Sequence, residues 1–86
     1  MKSVVIAGYQ RSPFTLAKKG ALASVRPDEM AAQVVRALVK KTGIEPDDIE
    51  DVIMGCAFPE AEQGYNVARI VAFLADLPLS VAGATV

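Results

Sequence analysis

The sequence predicts an α/β domain whose elements follow the order β-α-β-α-β and whose sheet is mainly parallel. Three apolar runs of strand length, at residues 3–7, 52–57 and 81–86, alternate with two segments of helical character. Alternating strands and helices are typical of the α/β class. Because crossovers of this kind are right-handed, successive strands are expected to lie side by side and parallel. Residues 51–69 have the pattern of a strand, an acidic loop and a helix start, and the rest of the chain is organised around this βα unit.

The first strand is predicted at residues 3–7, a continuous apolar run rich in β-branched side chains. Such a run is typical of a strand that is covered on both faces. Gly8, Arg11 and Pro13 end it. Residues 14–25 show no clean period, and their lysine, glycine and serine residues indicate a loop that crosses the surface.

The first helix is predicted to begin at Pro27 and to end before Gly43. Proline fits the first helical turn, where no amide hydrogen is needed, and glycine suits the left-handed C-terminal cap. The acidic pair at 28–29 and the basic pair at 40–41 each complement the helix dipole. One buried face is predicted from the apolar residues at helical spacing, which are Met30, Ala31, Val34, Val35, Leu38 and Val39.

The second helix, predicted from Asn66 to about residue 75, is apolar on nearly every side. Asn66 is expected to be its N-cap, and Arg69 is the only charged residue between positions 67 and 75. Such a helix must be buried on most sides, whereas a small two-layer domain covers only one face of a helix. The sequence therefore predicts a fragment of a larger fold, and the apolar run at the end of the chain supports the same expectation.

Composition excludes several classes of function. At 86 residues the chain makes one small domain, and 52% hydrophobic residues argue against disorder. With a net charge of −1 and lysine doublets only at 18–19 and 40–41, a nucleic-acid surface is not expected. The apolar run that begins at Val4 is too short for a signal peptide or a membrane span. A single cysteine suits a reducing compartment, so a cytoplasmic location is expected.

The absence of histidine limits the chemistry most strongly, because histidine is the commonest general base, the usual partner of a nucleophilic thiol and the commonest zinc ligand. Cys56, the only thiol, is either a nucleophile or a small buried hydrophobe. The second interpretation is favoured, because Cys56 lies inside an apolar strand, away from any helix N-terminus. No G-x-G-x-x-G or P-loop pattern is present.

The remaining charged candidates have structural alternatives. Glu60 and Glu62 lack a third ligand, so solvated loop carboxylates are favoured over an acid–base or metal pair. Arg69 needs a partner on its apolar helix, and we hypothesise that it pairs with Glu60 or Glu62 and ties the loop to the helix. Arg11 follows the first strand at the end where α/β sheets place ligands, but a role in tethering the turn is at least as well supported. No catalytic, cofactor-binding or metal-ligating residue is therefore assigned.

Several separated motifs occur along the chain. The central stretch carries V-I-M-G at 52–55, P-E-A-E-Q-G at 59–64 and N-V-A-R at 66–69. They are preceded by V-V-I-A-G near the N-terminus, by R-S-P at 11–13 and by the helix start R-P-D-E at 26–29. In this order the motifs resemble the thiolase family, and within it the degradative 3-ketoacyl-CoA thiolases. The resemblance extends over the whole chain but covers only the front of a thiolase.

The resemblance implies a fold of two similar halves, layered helix-sheet-helix-sheet-helix. Residues 1–86 would be a partial N-terminal thiolase domain, with its first three strands and two helices, truncated before the nucleophilic cysteine that would closely follow Val86. The implied reaction is cleavage of a 3-ketoacyl-CoA by CoA to acetyl-CoA and a shortened acyl-CoA, as in fatty-acid β-oxidation. A histidine and a second cysteine would come from the missing C-terminal part. This chain alone is therefore expected to be inactive and to bind no cofactor, with CoA and acyl-CoA as substrates of a homo-oligomeric parent enzyme.

Two alternatives stay open. A stand-alone, non-catalytic α/β module that associates through its apolar second helix is favoured by the absence of histidine and of a paired nucleophile. A relative with the thiolase fold but with synthase or lipid-transfer activity would share most of the motifs. The P-E-A-E-Q-G loop favours the degradative enzymes over that second alternative.

Overall fold

The computed structural model describes residues 3–86 and contains two α-helices and two β-strands. Short 3₁₀ turns precede β1 and α2, at Pro46–Asp48 and Ala61–Gln63. In chain order the main elements are α1 (Pro27–Thr42), β1 (Asp51–Met54), α2 (Val67–Leu74) and β2 (Ala82–Thr85). The fold is therefore of the α/β class, with α2 as the crossover between the two strands.

The two strands are parallel, as predicted for the second and third apolar runs. The register pairs Asp51 with Ala82 and Met54 with Thr85. Beyond the last paired residues, the Val86 amide donates to the Met54 carbonyl at 2.8 Å, and the Cys56 amide donates to the Val86 carbonyl at 2.9 Å. The carboxyl ends of β1 and β2 consequently lie at one edge of the sheet.

The strand predicted at residues 3–7 is not formed, and this part of the predicted β-α-β-α-β order is wrong for the structure of this chain. Residues 3–16 have no regular secondary structure, and the side chains of Val4 and Ile6 are 97% and 94% exposed. A parallel strand needs a neighbour on the sheet and cover on both faces. The described residues supply helices to one face only, since Ile53 on the other face of β1 is 68% exposed.

Helix α1 has the predicted bounds and ends. Pro27 lies in its first turn, acidic residues open it, and basic residues close it. Gly43 takes the left-handed conformation at φ 69°, and its amide donates to the Val39 carbonyl at 3.1 Å. The helix turns Ala32 rather than Met30 or Val34 to the centre of its contact with α2, because only Ala32 among these is fully buried.

Helix α2 forms the centre of the core, and its predicted burial is confirmed. The expectation that a small two-layer domain cannot cover it is wrong, because α1 and the sheet of this chain already bury Val67, Val71 and Ala72. The helix contacts α1, β1 and β2. Among its apolar side chains only Phe73 is exposed, at 51%. The buried core consists of Ala32, Val67, Val71, Ala72, Ala75, Leu77 and Val81. The core therefore lies between α1, α2 and one face of the sheet. None of the helices in the described part of the chain is long and apolar enough to cross a membrane.

Candidate functional site at the carboxyl edge of the sheet

The carboxyl edge of the sheet also holds the N-terminus of α2, because α2 begins beside the end of β2. In open α/β sheets, ligands bind outside the carboxyl ends of the strands. The residues that meet here come from the loop before α2, from its first turn and from β2. This edge is therefore the candidate functional site, and its polar contacts determine how rigidly it is held.

Asn66 occupies the N-cap position of α2, but its side chain does not cap the helix as predicted. Its backbone is left-handed, with φ 57° and ψ 73°, and this carries the side chain away from the helix amides and toward β2. Its Nδ2 donates to the Gly83 carbonyl at 2.9 Å, and its Oδ1 accepts from the Thr85 hydroxyl at 2.8 Å. Asn66 thus joins the start of α2 to the end of β2.

Thr85 supplies the cap that Asn66 does not. Its hydroxyl oxygen accepts from the Ala68 amide at 3.2 Å, one of the amides at a helix N-terminus that have no partner within the helix. The same hydroxyl donates its own hydrogen to Asn66. Sequence reasoning missed this contact. The available signal was the alternation along β2, which places Thr85 on the same face as Gly83, toward α2.

Gly83 allows the backbones of α2 and β2 to approach closely. A Cβ at this position would lie 2.8 Å from the Arg69 amide nitrogen, 2.9 Å from the Arg69 Cα and 3.1 Å from the Ala68 carbonyl carbon. These atoms belong to the helix backbone and cannot move aside without shifting the helix. Glycine in a strand often marks such a close approach.

Arg69 does not pair with Glu60 or Glu62, so the hypothesis of that ion pair is wrong. Its guanidinium donates instead to the backbone carbonyls of Val81 and, at 3.2 Å, Leu79. It also lies 4.5 Å from the centre of the Phe73 ring. The connection from α2 to β2 runs beside this side chain, and its carbonyls need donors, so Arg69 holds that connection rather than the acidic loop.

The acidic loop is tied to α1 by a different arginine. Arg26 Nη1 lies 3.1 Å from a Glu62 carboxylate oxygen, and Arg26 also binds the carboxylate of Asp28 in bidentate fashion, at 3.1 and 2.9 Å. Asp28 is buried and further accepts from the Glu29 amide at 2.8 Å. Hydrogen bonding to Arg26 lowers the pKa of Asp28, and the same bond raises the pKa of Arg26. Within residues 3–86, Glu60 forms no ion pair.

Arg36 joins the two helices at the opposite end of α2. It donates to the Leu74 carbonyl, in the last turn of α2, and binds Glu29 at 2.9 Å. A cation at a helix C-terminus is favoured by the helix dipole. Arg26, Arg36 and Arg69 together hold α2 and its flanking segments in place.

Cys56 lies at the carboxyl edge, half-buried and packed against the core. It follows the end of β1 rather than lying inside the strand as predicted, so its structural role stays a prediction. Arg11 is exposed, and its guanidinium donates to the Ser12 carbonyl at 3.3 Å. The described residues contain no cluster of three or more metal-ligating side chains.

The fold and this edge together define a class: an α/β domain in which a crossover helix begins at the carboxyl ends of two parallel strands. Comparison of sequences gives the family. The sequence model described as "Thiolase, N-terminal domain" matches residues 4–86, and the chain belongs to the thiolase family.

Named relatives agree with this assignment. The chain is 49% identical over 86 residues to a 3-ketoacyl-CoA thiolase of Bacillus subtilis (strain 168), covering 100% of this chain and 22% of that protein. It is 41% identical over 85 residues to a 3-ketoacyl-CoA thiolase of Psychrobacter sp. (strain PRwf-1), covering 99% and 22%. A 3-ketoacyl-CoA thiolase of Acinetobacter baylyi (strain ATCC 33305 / BD413 / ADP1) is 42% identical over 85 residues, with the same coverage of 99% and 22%. The chain thus spans about a fifth of the length of these relatives.

Proposed function

We propose that this chain is the N-terminal part of an acyltransferase that cleaves a 3-ketoacyl-CoA with CoA, giving acetyl-CoA and a shortened acyl-CoA. The observation that carries the proposal is the 49% identity over the whole chain to a protein named 3-ketoacyl-CoA thiolase. A likeness that includes every element and the whole carboxyl edge favours a shared reaction over a shared fold alone.

The chain's own contribution to this reaction is a scaffold. It contains no histidine, so a thiol in it would lack the usual base. By the family resemblance, the nucleophilic cysteine closely follows Val86, just beyond the carboxyl end of β2. A thiolate there is favoured if a helix begins at that point, because the N-terminal end of a helix dipole is positive. The histidine and second cysteine belong to the remainder of the enzyme.

Several finer features belong to the same proposal. We place the parent enzyme in fatty-acid β-oxidation, in the cytoplasm, and as a homo-oligomer. CoA and acyl-CoA are substrates of the parent enzyme. Residues 1–86 bind no cofactor. The loop and helix start at residues 60–69 shape the surroundings of the site and contribute to contact with a second subunit.

The test compares two proteins, residues 1–86 and the product of the complete reading frame that contains them. Each is incubated with acetoacetyl-CoA and CoA, and acetyl-CoA is measured by chromatography. The complete product is expected to turn over at the rates typical of enzymes, about 1–1000 s⁻¹, while residues 1–86 release no acetyl-CoA above background. Omission of CoA controls for simple hydrolysis. A complete product without thiolysis would contradict the proposed reaction, and turnover by residues 1–86 would contradict the scaffold role.

The second candidate is a non-catalytic association module. Association through α2, the surface first considered, does not fit, because α2 is buried within this chain. The exposed apolar side chains of Val4, Ile6 and Ile53 favour another surface for it. A reading frame that ends at Val86, together with a defined oligomer of residues 1–86 in size-exclusion chromatography, would support this candidate. The family resemblance implies that an Asn-Arg-x-Cys segment, with the nucleophilic cysteine, follows Val86. Continuation of the reading frame into that segment would support the enzyme. Intact mass of the natural protein distinguishes the two directly.

A further inference from the structure

We infer that Asn66 and Thr85 form a positioning pair, which sets the direction in which the chain leaves β2 at the carboxyl edge of the sheet. This inference rests on the proposed function, because it concerns where the enzyme's reacting groups stand after β2. Neither side chain takes part in the reaction, yet both are expected to contribute measurably to the catalytic rate.

The first step of the argument is the hydrogen-bond chain between the two residues. The Ala68 amide donates to the Thr85 hydroxyl, the hydroxyl donates to Asn66 Oδ1, and Asn66 Nδ2 donates to the Gly83 carbonyl. Each polar group of the pair therefore has a defined partner. Because a hydroxyl has a single hydrogen, the direction of donation is fixed, and the Thr85 side chain is held in one orientation.

The second step is the backbone that the pair requires. Tyr65 and Asn66 both have left-handed backbones, with φ 53° and 57°. Non-glycine residues adopt this conformation at a cost, although asparagine tolerates it better than most. An ordinary N-cap would have an extended backbone and a side chain on its own helix. Here the left-handed backbone turns the side chain of Asn66 toward β2, so the cost supports the contact between the two elements.

The third step is the location of the pair. Thr85 is the last residue of β2, and its neighbour Val86 still bonds to β1 through the Met54 carbonyl. Gly83 brings β2 against the first turn of α2 two residues earlier. The chain is thus held on both sides up to Val86, and whatever follows starts from a fixed point and direction. In α/β enzymes this is the side of the sheet at which substrates bind.

The test uses the complete enzyme and replaces Thr85 in two ways. Thr85→Val keeps the shape and removes the hydroxyl, while Thr85→Ser keeps the hydroxyl. We expect Thr85→Val to lower kcat about tenfold or more, with KM changed less than about twofold, because misplacement of reacting groups acts on the transition state. Thr85→Ser should retain kcat within about twofold. Thr42→Val, which removes a hydroxyl bonded within α1, should leave kcat unchanged.

A second replacement tests whether the two residues act as a unit. Asn66→Gly removes the side chain and keeps access to the left-handed backbone. The double variant Asn66→Gly/Thr85→Val should have a kcat no lower than the worse single variant, since coupled residues are not additive. Equal losses of kcat in Thr85→Val and Thr85→Ser, or an unchanged kcat in Thr85→Val, would overturn the inference.

Amide hydrogen exchange separates this inference from the proposed reaction. In Thr85→Val, the exchange of the Ala68 and Val86 amides should accelerate by about tenfold, the factor that corresponds to loss of one hydrogen bond. In Thr85→Ser both amides should keep their protection. If the complete protein lacks thiolysis but the exchange results are as expected, the reaction is wrong and the positioning pair stands. If Val86 keeps its protection in Thr85→Val, the pair is a helix cap only and the inference fails.

Discussion

Two apolar runs of similar length differ in structure, because one forms a strand and the other does not. Residues 3–7 are exposed and form no strand, whereas residues 81–86 include a paired strand. The side chain of Val4 is 97% exposed, while that of Val81 is fully buried. The difference shows that apolar, β-branched character does not make a strand by itself. A strand also needs a neighbour for its backbone and a layer for its side chains.

The contacts of the two runs explain the difference. The segment around β2 accepts hydrogen bonds from the side chains of Asn66 and Arg69 and from the Ala68 amide, and its backbone pairs with β1. The N-terminal segment is tied down near Tyr9, where Lys41 donates to the carbonyl at 3.3 Å and lies 4.6 Å from the ring centre. One exposed contact of this kind contributes little to stability. The βαβ unit, residues 51–86, is therefore expected to be more stable than the N-terminal segment, residues 3–16.

The largest expected effect tests the core of the βαβ unit. Leu77→Ala should lower the free energy of unfolding by about 2–4 kcal/mol, since Leu77 is buried in the core and truncation leaves a cavity. Leu79→Ala is the matched control, because Leu79 is 76% exposed and should lose less than about 0.5 kcal/mol. Ile6→Ala should behave like the control. Urea unfolding measures the free energy of unfolding for all three variants. A large loss of that free energy in Ile6→Ala would show that the N-terminal segment is as well packed as the βαβ unit.

The next effect concerns the close approach of β2 to α2. Gly83→Ala should cost about 1–3 kcal/mol, because the added Cβ would meet helix backbone atoms within 3.1 Å. Gly55→Ala is the control, since a Cβ there meets nothing within 4 Å. Thermal unfolding followed by circular dichroism compares the two. Equal melting temperatures would show that α2 and β2 are farther apart than described.

Removal of the Arg69 guanidinium should have a smaller effect. Arg69→Met leaves the carbonyls of Leu79 and Val81 without this donor and is expected to cost about 1–2 kcal/mol. Arg11→Met, at an exposed arginine with only a local contact, is the control. Amide exchange in the acidic loop, residues 59–64, should stay unchanged in Arg69→Met and accelerate in Arg26→Gln. The reverse pattern would restore the original pairing hypothesis.

The smallest expected effect is a dependence of stability on pH. Because the pKa of Asp28 is lower in the folded chain than in the unfolded chain, its contribution is complete at pH values above the unfolded pKa, about 4. The contribution is lost as the pH falls from there through the folded pKa. Asp28→Asn should remove part of this acid dependence, whereas Asp48→Asn, at an exposed position, should not. Urea midpoints between pH 2 and 6 measure it, and identical profiles in both variants would count against the Arg26–Asp28 contact.

Much of the fold was predictable from local signals. Pro27, the charged ends and Gly43 indicated the bounds of α1, and residues 67–75, in which Arg69 is the only charged side chain, indicated the burial of α2. These features depend on residues close in sequence, whose physical preferences are known. The strand at residues 3–7 was not predictable in the same way, because its formation depends on a neighbour and a covering layer that the run itself does not specify.

The contacts of the candidate site were mostly not predictable. The sequence indicated that Arg69 needs a partner, but backbone carbonyls compete with carboxylates for a guanidinium, and which lies closer depends on the path of the chain. The joint role of Asn66 and Thr85 depends on the register of β2 relative to α2. Gly83 and the alternation along β2 were the only local signals of it.

The central claim is that the βαβ unit is stable whereas the N-terminal segment is not. Amide hydrogen exchange on residues 1–86 tests it most directly, since exchange reports the stability of each region separately. The account predicts protection at the amides of Val71 and Ala72 in α2 and at the amides of Ala82 and Val86, which donate to the carbonyls of Glu50 and Met54. It predicts no protection at residues 4–6. Comparable protection of residues 4–6 would mean that the N-terminal run is already paired within this chain, and would contradict the account.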